Sequence, residues 1–199
     1  MRRKRNYLLA AASAAVFVLT AFAGAHEAPA RADRRADDKD REYYQAQAYG
    51  TGTQMGRTVN VSILINRYSP PDDQKILLNA FTTKGMQGLT DALSKMKSKG
   101  RISITGTLGY DLSYIRTFKT EQGRTIRMVT DRPISFAEAW EGTRSLDYSM
   151  SAAELNLNDE ESKSTGTLLP LCKLSVNKEK GLEIEAFQNP WTLRDIQKR

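Results

Sequence analysis

The chain has 199 residues and a formal net charge of +7, with 30 basic and 23 acidic side chains. Its single cysteine, Cys172, excludes an intramolecular disulfide, so stability must come from the packed core. Its single histidine, His26, lies near the amino terminus. This argues against histidine-based acid–base catalysis, serine–histidine hydrolysis and most zinc chemistry in the folded part.

Residues 1–25 have the three parts of an export signal. The basic run Arg2–Arg5 precedes an uncharged, mostly apolar stretch, and small residues that suit cleavage end at Ala25. A second small-residue site ends at Ala32, and a retained anchor helix is the alternative to cleavage. Cleavage after Ala25 or Ala32 predicts an exported protein, periplasmic or extracellular, with no stable membrane span.

Removing this signal takes away four basic residues and no acidic one, which leaves a net charge of +3. No Lys/Arg cluster follows, so we expect no nucleic-acid partner. Residues 26–57 are charged and rich in small residues, and we interpret them as a flexible linker with a short helix near 37–48. Residues 58–199 are predicted to form a single domain by length.

The first predicted elements of this domain are a strand and two helices. Apolar and polar residues alternate over Val59–Ile65, which is typical of a half-buried strand. Ser69 then predicts a helix N-cap, and an apolar stripe at helical spacing runs to Gly85. A second helix is expected over 86–97. The two helices should form a hairpin that lies on a sheet.

Six further strands are predicted from runs of β-branched and aromatic residues, at 101–106, 110–120, 124–131, 145–157, 165–176 and 182–187. Their short connections favour antiparallel pairing. The tail around Trp191 is expected to cover an open edge. The predicted fold class is therefore α+β: a bent, mainly antiparallel sheet of about seven strands, as a sandwich or incomplete barrel, with one helical hairpin packed on it.

The central hairpin has a glycine that predicts its register. A three-residue loop of 121–123 puts Gly123 where the backbone turns left-handed without a Cβ penalty. Phe118 would then face Ile126 on one side of the sheet, and Ile115 would face Val129 on the other.

Polar and aromatic side chains around this hairpin form the candidate ligand site. If Arg116 and Asp131 converge on a concave face, the guanidinium and nearby rings would hold a polar ligand. Otherwise these are exposed strand residues with cross-strand ion pairs of small energetic value. The candidate ligand-binding residues are Tyr110, Asp111, Tyr114, Arg116, Arg127, Asp131 and Trp140.

Signals for other chemistry are weaker. The turn at 156–161 has oxygen ligands but lacks the glycine and spacing of a calcium loop. Cys172 has no histidine nearby and fits a small apolar strand residue better than a reactive thiol. No spacing singles out a pair among the available carboxylates, Asp111, Asp131, Glu138, Glu141 and Asp147. We therefore predict no catalytic residue, no metal and no cofactor.

Five stretches of the chain resemble exported bacterial proteins of an uncharacterised family. They are SILINRY at 62–68, GRISITGTLGYD at 100–111, TDRPISFAEAW at 130–140, TGTLLP at 165–170 and QNPW at 188–191. The resemblance covers nearly all of 58–193 and implies export and a shared fold, without assigning any catalytic residue.

The function expected from the sequence is non-enzymatic. We expect an exported protein that binds a small apolar or amphiphilic ligand, or a protein partner of the cell envelope, on the concave face of its sheet. The alternatives are a structural or interaction protein of the envelope and a carboxylate-dependent hydrolase.

Overall fold

The computed structural model describes residues 41–134, 149–176, 182–186 and 189–199. These residues form one bent helix, α1 (Pro71–Lys95), and nine strands. The strands are β1 (Glu42–Tyr49), β2 (Thr58–Ile65), β3 (Gly100–Ile104), β4 (Tyr110–Thr120), β5 (Gly123–Thr130), β6 (Met150–Asn158), β7 (Thr165–Val176), β8 (Leu182–Ala186) and β9 (Trp191–Lys198).

Eight of these strands close into an antiparallel barrel. Neighbouring strands pair in the order β6-β5-β4-β3-β2-β1-β9-β7, and β7 pairs again with β6. The strand left over, β8, pairs with the carboxyl-terminal half of β7. The chain therefore winds mostly up and down around the barrel, and closure pairs each of these eight strands with two neighbours, while β8 pairs only with β7 among the described strands.

The predicted α+β fold class is wrong, because the described residues form a mostly-β closed barrel with a single helix. The main error lies where the sheet closes. An open sheet of about seven strands was expected, but β1 and β9 add two more and join β2 to β7. Trp191 is accordingly 2% exposed inside the barrel, where the sequence suggested a tail over an open edge. The predicted strands that became β2, β4 and β7 are confirmed.

The folded part of the chain also begins earlier than the predicted boundary at Thr58. β1 starts at Glu42, within the segment interpreted as a flexible linker, and its residues are extended where a short helix was expected. Its inward positions are buried while its outward positions carry Gln and Tyr. This is the alternation of a barrel strand.

Apolar side chains fill the barrel. Inward positions on all eight strands alternate with outward ones, and the largest inward side chains are less than 2% exposed. An eight-stranded barrel is just wide enough for its interior to be filled in this way. The buried interior includes Ile63, Ile65, Ile102, Leu112, Ile115, Ile126, Met128 and Leu155.

Helix α1 packs on the outside of the barrel. Leu77, Leu89 and Leu93 contact a second apolar cluster that includes Met150 and Cys172. α1 is sharply kinked at Gly85, whose φ of 60° and ψ of −146° are not helical, at the residue where the sequence predicts that the first helix ends. The helix thereby covers part of the outer face of the barrel.

Ser69 does not cap α1 as predicted, because the N-cap is Pro70. Its hydroxyl oxygen instead accepts a hydrogen bond from the backbone N–H of Ile115 at 3.0 Å, and its own N–H donates to the Ile115 carbonyl at 2.8 Å. These bonds tie the start of the helix to β4.

The predicted register of the central hairpin is wrong by one residue. Phe118 pairs with Thr125 on the outside of the barrel, while Ile126 faces inward opposite Thr117. The loop has two residues, because Gly123 belongs to β5, pairs with Thr120 and lies against β6. A Cβ added to Gly123 would lie 2.2 Å from the Leu157 carbonyl oxygen, so the glycine serves this close approach as well as its φ of 141°.

The inward position of Trp191 gives a stability test of β9. Truncation to alanine removes a ring that is 2% exposed and leaves a cavity, so we expect Trp191→Ala to lower the free energy of unfolding by about 3 to 5 kcal/mol. The matched control is Phe118→Ala, an outward aromatic that is 37% exposed, with an expected cost of about 1 kcal/mol. Denaturant unfolding of both variants measures this, and equal costs would contradict the position of β9.

Candidate functional site

One end of the barrel carries the principal polar site of the described chain. β1 starts, β4 ends, β5 starts, β6 ends and β9 ends at this end, as their pairings require. An open cleft of about 530 Å3 lies here, which we call the mouth cleft. Its lining includes Tyr44, Lys119, Arg124, Leu157, Ile196 and Lys198.

A largely buried carboxylate, Glu42, organises the polar groups at this end. Arg124 Nη2 donates to Glu42 Oε1 at 2.7 Å, and Lys198 Nζ donates to the same oxygen at 2.9 Å. The hydroxyls of Tyr68 and Tyr44 donate to Glu42 Oε2 at 2.6 Å and 3.0 Å. The side chain of Glu42 is 10% exposed, so four donors satisfy a nearly buried anion.

The barrel itself brings these groups together. Glu42 and Tyr44 both point inward because they are two residues apart on β1. Arg124 points inward from β5, which is four strands away from β1 in either direction around the barrel. Its guanidinium therefore crosses the mouth and also donates to the Tyr44 hydroxyl at 2.6 Å. We call Glu42, Tyr44, Tyr68, Arg124 and Lys198 the mouth network.

The electrostatics of the mouth network fix its protonation. Burial alone would raise the pKa of Glu42, but hydrogen bonds from Tyr68, Arg124 and Lys198 outweigh burial and lower this pKa to about 2. Burial and the nearby Glu42 carboxylate raise the pKa of both Tyr44 and Tyr68 above the ordinary tyrosine value. Glu42 is thus ionised and both phenols are neutral throughout the neutral pH range.

This arrangement suits binding better than proton transfer. General acid–base catalysis works best with a group whose pKa lies near the working pH, and these shifts move each group away from neutrality. Glu42 already accepts four hydrogen bonds, which leaves it poorly placed to act as a nucleophile or base. The mouth network therefore presents charged groups and neutral hydroxyls whose protonation states do not change near neutral pH.

The wall of the mouth cleft combines apolar and charged groups. Partly buried Leu157 contributes apolar surface to the wall, whereas Ile196 and Tyr44 belong to the core beneath it and are 3% and 1% exposed. Lys119 lies opposite Arg124 on the inward side of the β4–β5 hairpin and is exposed. With Arg124 and Lys198 it gives the cleft three cationic side chains, while Glu161 and Asp159 lie at the side formed by the β6–β7 connection.

The sequence-predicted site lies mostly on the outer face of the barrel. Tyr114, Arg116 and Arg127 do come together there, since Arg116 pairs directly with Arg127. Arg127 Nε donates to Glu154 Oε2 at 2.7 Å, and Arg116 donates to the side chain of Gln74 on α1. These contacts fit cross-strand and helix–sheet pairing on an outer surface.

The other predicted site residues do not converge with Arg116. Tyr110 and Asp111 begin β4 at the opposite end of the barrel, and Asp111 pairs with Arg101 at 3.5 Å. Asp131 follows the end of β5, whereas Arg116 lies opposite the middle of that strand. Trp140 lies outside the described residues. The concave site proposed from Arg116 and Asp131 is therefore not formed by the described part of the chain.

The weaker chemical candidates are also placed by the structure. Within the described ranges, no three acidic, histidine or cysteine residues cluster in a way that could hold a metal ion. In the 156–161 turn, the Asn158 side-chain oxygen accepts from the Glu160 N–H at 2.9 Å. Cys172 is fully buried, and burial raises the pKa of its thiol to about 12, which fits an apolar packing role. His26, Glu138, Glu141 and Asp147 lie outside the described residues.

Sequence reasoning missed Glu42, Tyr44 and Lys198 because it left β1 and β9 unassigned. The available signal is the alternation in β1, where Glu42, Tyr44 and alanines occupy every second position. In β9 the alternation breaks at Asp195, which has a positive φ of 51° next to a bulge. Arg124 was visible as a strand residue, but nothing local showed what it faced.

Comparison with known proteins adds no assignment, since no family model, curated protein or solved structure matches this chain. No helix in the described part of the chain is long and apolar enough to span a membrane.

The Glu42 pKa gives a pH-dependent stability test. Because the folded-state pKa is lower than the unfolded value of 4.5, the contribution of Glu42 is complete above about pH 5 and is lost as pH falls towards 2. We expect Glu42→Gln to lower the free energy of unfolding at pH 7 by about 3 kcal/mol, and this difference to shrink across that window.

Denaturant unfolding at pH 7, 5 and 3 measures the effect. Glu160→Gln is the matched control, because Glu160 is 60% exposed in a surface pair with Lys163, and we expect it to cost less than about 0.5 kcal/mol at every pH. A Glu42→Gln difference that stayed constant from pH 7 to pH 3 would show that Glu42 is not the buried anion described above.

Proposed function

We propose that this protein is exported and binds a small amphiphilic molecule with an anionic head group in the mouth cleft. The proposal rests on one observation. A single open cleft of about 530 Å3 contains both apolar wall residues and three cationic side chains, Lys119, Arg124 and Lys198. Clefts of this size are typical of small-molecule sites.

Charge at the inner end of the cleft favours an anionic head group. Arg124 and Lys198 share the single Glu42 carboxylate, so this end retains one positive charge, while Asp159 and Glu161 lie at the β6–β7 side of the cleft. Lys119 adds a second cation at the rim, on the other side of the opening from Lys198. A carboxylate or sulfate placed between them would gain charge-assisted hydrogen bonds.

The apolar part of the ligand would lie against Leu157, above the nearly buried Ile196. The barrel interior beneath these residues is filled, since Ile126, Leu155 and Leu193 are each fully buried. The space between α1 and the sheet is also occupied by packed side chains. A ligand therefore fits at the mouth, on top of the filled core, and not inside the barrel.

A binding role is favoured over hydrolysis by the state of Glu42. A carboxylate-dependent hydrolase needs two convergent carboxylates, one with a raised pKa. The buried carboxylate of this site has a lowered pKa, and hydrogen bonds from four partners hold it in place. With the export signal and the family resemblance of the sequence, this supports a non-enzymatic protein of the periplasm or extracellular space.

Decanoate below its micelle concentration is the probe for this proposal. We expect the full-length chain to bind decanoate and decyl sulfate, and to bind decanol and decyltrimethylammonium at least about tenfold more weakly, because the cleft offers cations to the head group. Isothermal titration calorimetry measures each affinity. Equal affinity for all four molecules would contradict a site that selects an anion.

The matched variants are Lys119→Gln and Lys163→Gln. Lys119 lines the cleft, and its loss should weaken decanoate binding by about tenfold, equivalent to about 1.4 kcal/mol. Lys163 is 64% exposed and pairs with Glu160 outside the cleft lining, so its loss should leave the affinity unchanged. If both variants bind decanoate like the original chain, the mouth cleft is not the site.

A further inference from the structure

The outer face of β1 and β2, two strands described in full, carries no charged side chain. Buried and more exposed positions alternate along both strands, and the more exposed ones point outward. The outward residues are Tyr43, Gln45, Gln47 and Tyr49 on β1, which we call the outer strip, and Thr58, Asn60, Ser62 and Leu64 on β2. Among the described residues, the apolar cluster against which α1 packs includes none from β1, β2 or β9. This face is therefore outside the contact between helix and barrel.

Two amide side chains lie next to each other near the middle of this face. Gln47 pairs with Asn60 on β2, so the two outward side chains are about 5 Å apart at Cβ. The Gln47 side-chain oxygen accepts a hydrogen bond from the Tyr49 hydroxyl at 2.7 Å. Within the described part of the chain, the Gln47 side-chain nitrogen and the Asn60 amide have no hydrogen-bond partner. They offer a ligand both donors and an acceptor, which suits hydroxyl groups.

Two tyrosine rings lie at the ends of the outer strip. Tyr43 and Tyr49 are six residues apart on one strand, which places them about 20 Å apart. Both residues are partly exposed. The face of an aromatic ring is electron-rich, so it attracts the weakly positive C–H groups of a sugar ring. Rings at both ends of a row of amides therefore favour an elongated ligand that is built from hydroxylated rings.

Arginines on β9 border the outer strip on one side. The Arg194 guanidinium lies 6.0 Å from the centre of the Tyr49 ring, and Arg199 Nε donates to Gln45 Oε1 at 3.1 Å. One carboxylate, that of Asp195, lies on the same side and accepts a hydrogen bond from the Tyr49 hydroxyl at 3.3 Å. Two arginines against one aspartate leave this border with a net positive charge. Carboxylate or sulfate groups complement that charge.

We propose that the outer strip binds an acidic polysaccharide whose chain lies along β1. Sugar rings contact the two tyrosines, sugar hydroxyls bond to the amides of Gln47 and Asn60, and acidic groups pair with Arg194 and Arg199. An apolar ligand would leave these polar groups unmatched. The outer strip shares no residue with the lining of the mouth cleft, so this site goes beyond the proposed amphiphile site.

Isothermal titration calorimetry of the full-length chain with acidic hexasaccharides tests the proposal. The probes are oligomers of galacturonate, mannuronate, hyaluronate and dextran sulfate. Their neutral counterparts are the methyl esters of the first three and dextran. We expect at least one acidic hexasaccharide to bind, and its neutral counterpart to bind at least about tenfold more weakly. The disaccharide of the same sugar should lose at least as much affinity, because it is too short to reach both tyrosines. No binding of any probe, or equal binding of the acidic and neutral forms, would overturn the proposal.

Arg194→Gln and Asn60→Ala remove one charge and one amide from the site. Both residues are exposed, so folding is preserved, and each change should weaken binding by about fivefold. Lys84→Gln and Asn79→Ala are the matched controls, since both residues are exposed on α1, and they should leave the affinity unchanged. Equal losses in the site variants and the controls would show that attraction is not specific to this face, which would overturn the proposal.

Decanoate titration separates this site from the mouth cleft. Arg194→Gln should leave decanoate binding unchanged, because Arg194 does not line the mouth cleft. Lys119→Gln should likewise leave binding of the hexasaccharide unchanged. A loss of hexasaccharide binding in Lys119→Gln would place the sugar in the mouth cleft and contradict the outer-strip site, whereas failure of decanoate binding alone would contradict only the amphiphile site.

Discussion

The ion pair between Arg124 and Glu42 crosses the mouth of the barrel and joins strands on its opposite sides. Its 2.7 Å contact links β5 to β1, and Lys198 and Tyr68 add bonds from β9 and from the end of β2. A buried anion is costly unless its partners satisfy it, so the four segments must stay close for the charge to be tolerated. The polar end of the barrel depends on this constraint.

Some strands of the barrel can be predicted from the sequence, and others cannot. β2 alternates Val and Ile with polar residues, and its pattern alone predicts it. β1 places Ala46 and Ala48 inward between glutamines, and alanine has little strand preference, so the segment was read as a linker with a helix. In β9 the bulge at Asp195 shifts the alternation by one residue. Because these two strands are neighbours, missing both opened the predicted sheet.

The candidate site was hidden for a related reason. Arg116 and Arg127 were chosen because they lie close in sequence to aromatic residues, but that hairpin face looks outward. The mouth network joins residues up to 156 positions apart, and only closure of the barrel makes them neighbours. Gly123 illustrates the same limit: it was read as a turn residue, while its close approach to Leu157 on β6 was not visible. A local sequence pattern predicts individual strands and helices. Which side chains meet across a barrel depends on the order in which the strands pair, and a local pattern does not show that order.

Stability alone does not account for the mouth network. Replacing a buried ion cluster with apolar side chains is often neutral or stabilising, and the rest of this barrel is filled with isoleucine, leucine and valine. The chain nevertheless places two cations, a carboxylate and two phenols at one end, directly beside an open cleft. Fixed charges oriented by hydrogen bonds are effective for recognition because they need no reorganisation when a ligand arrives. The position of this network beside the cleft therefore supports the proposed binding at the mouth.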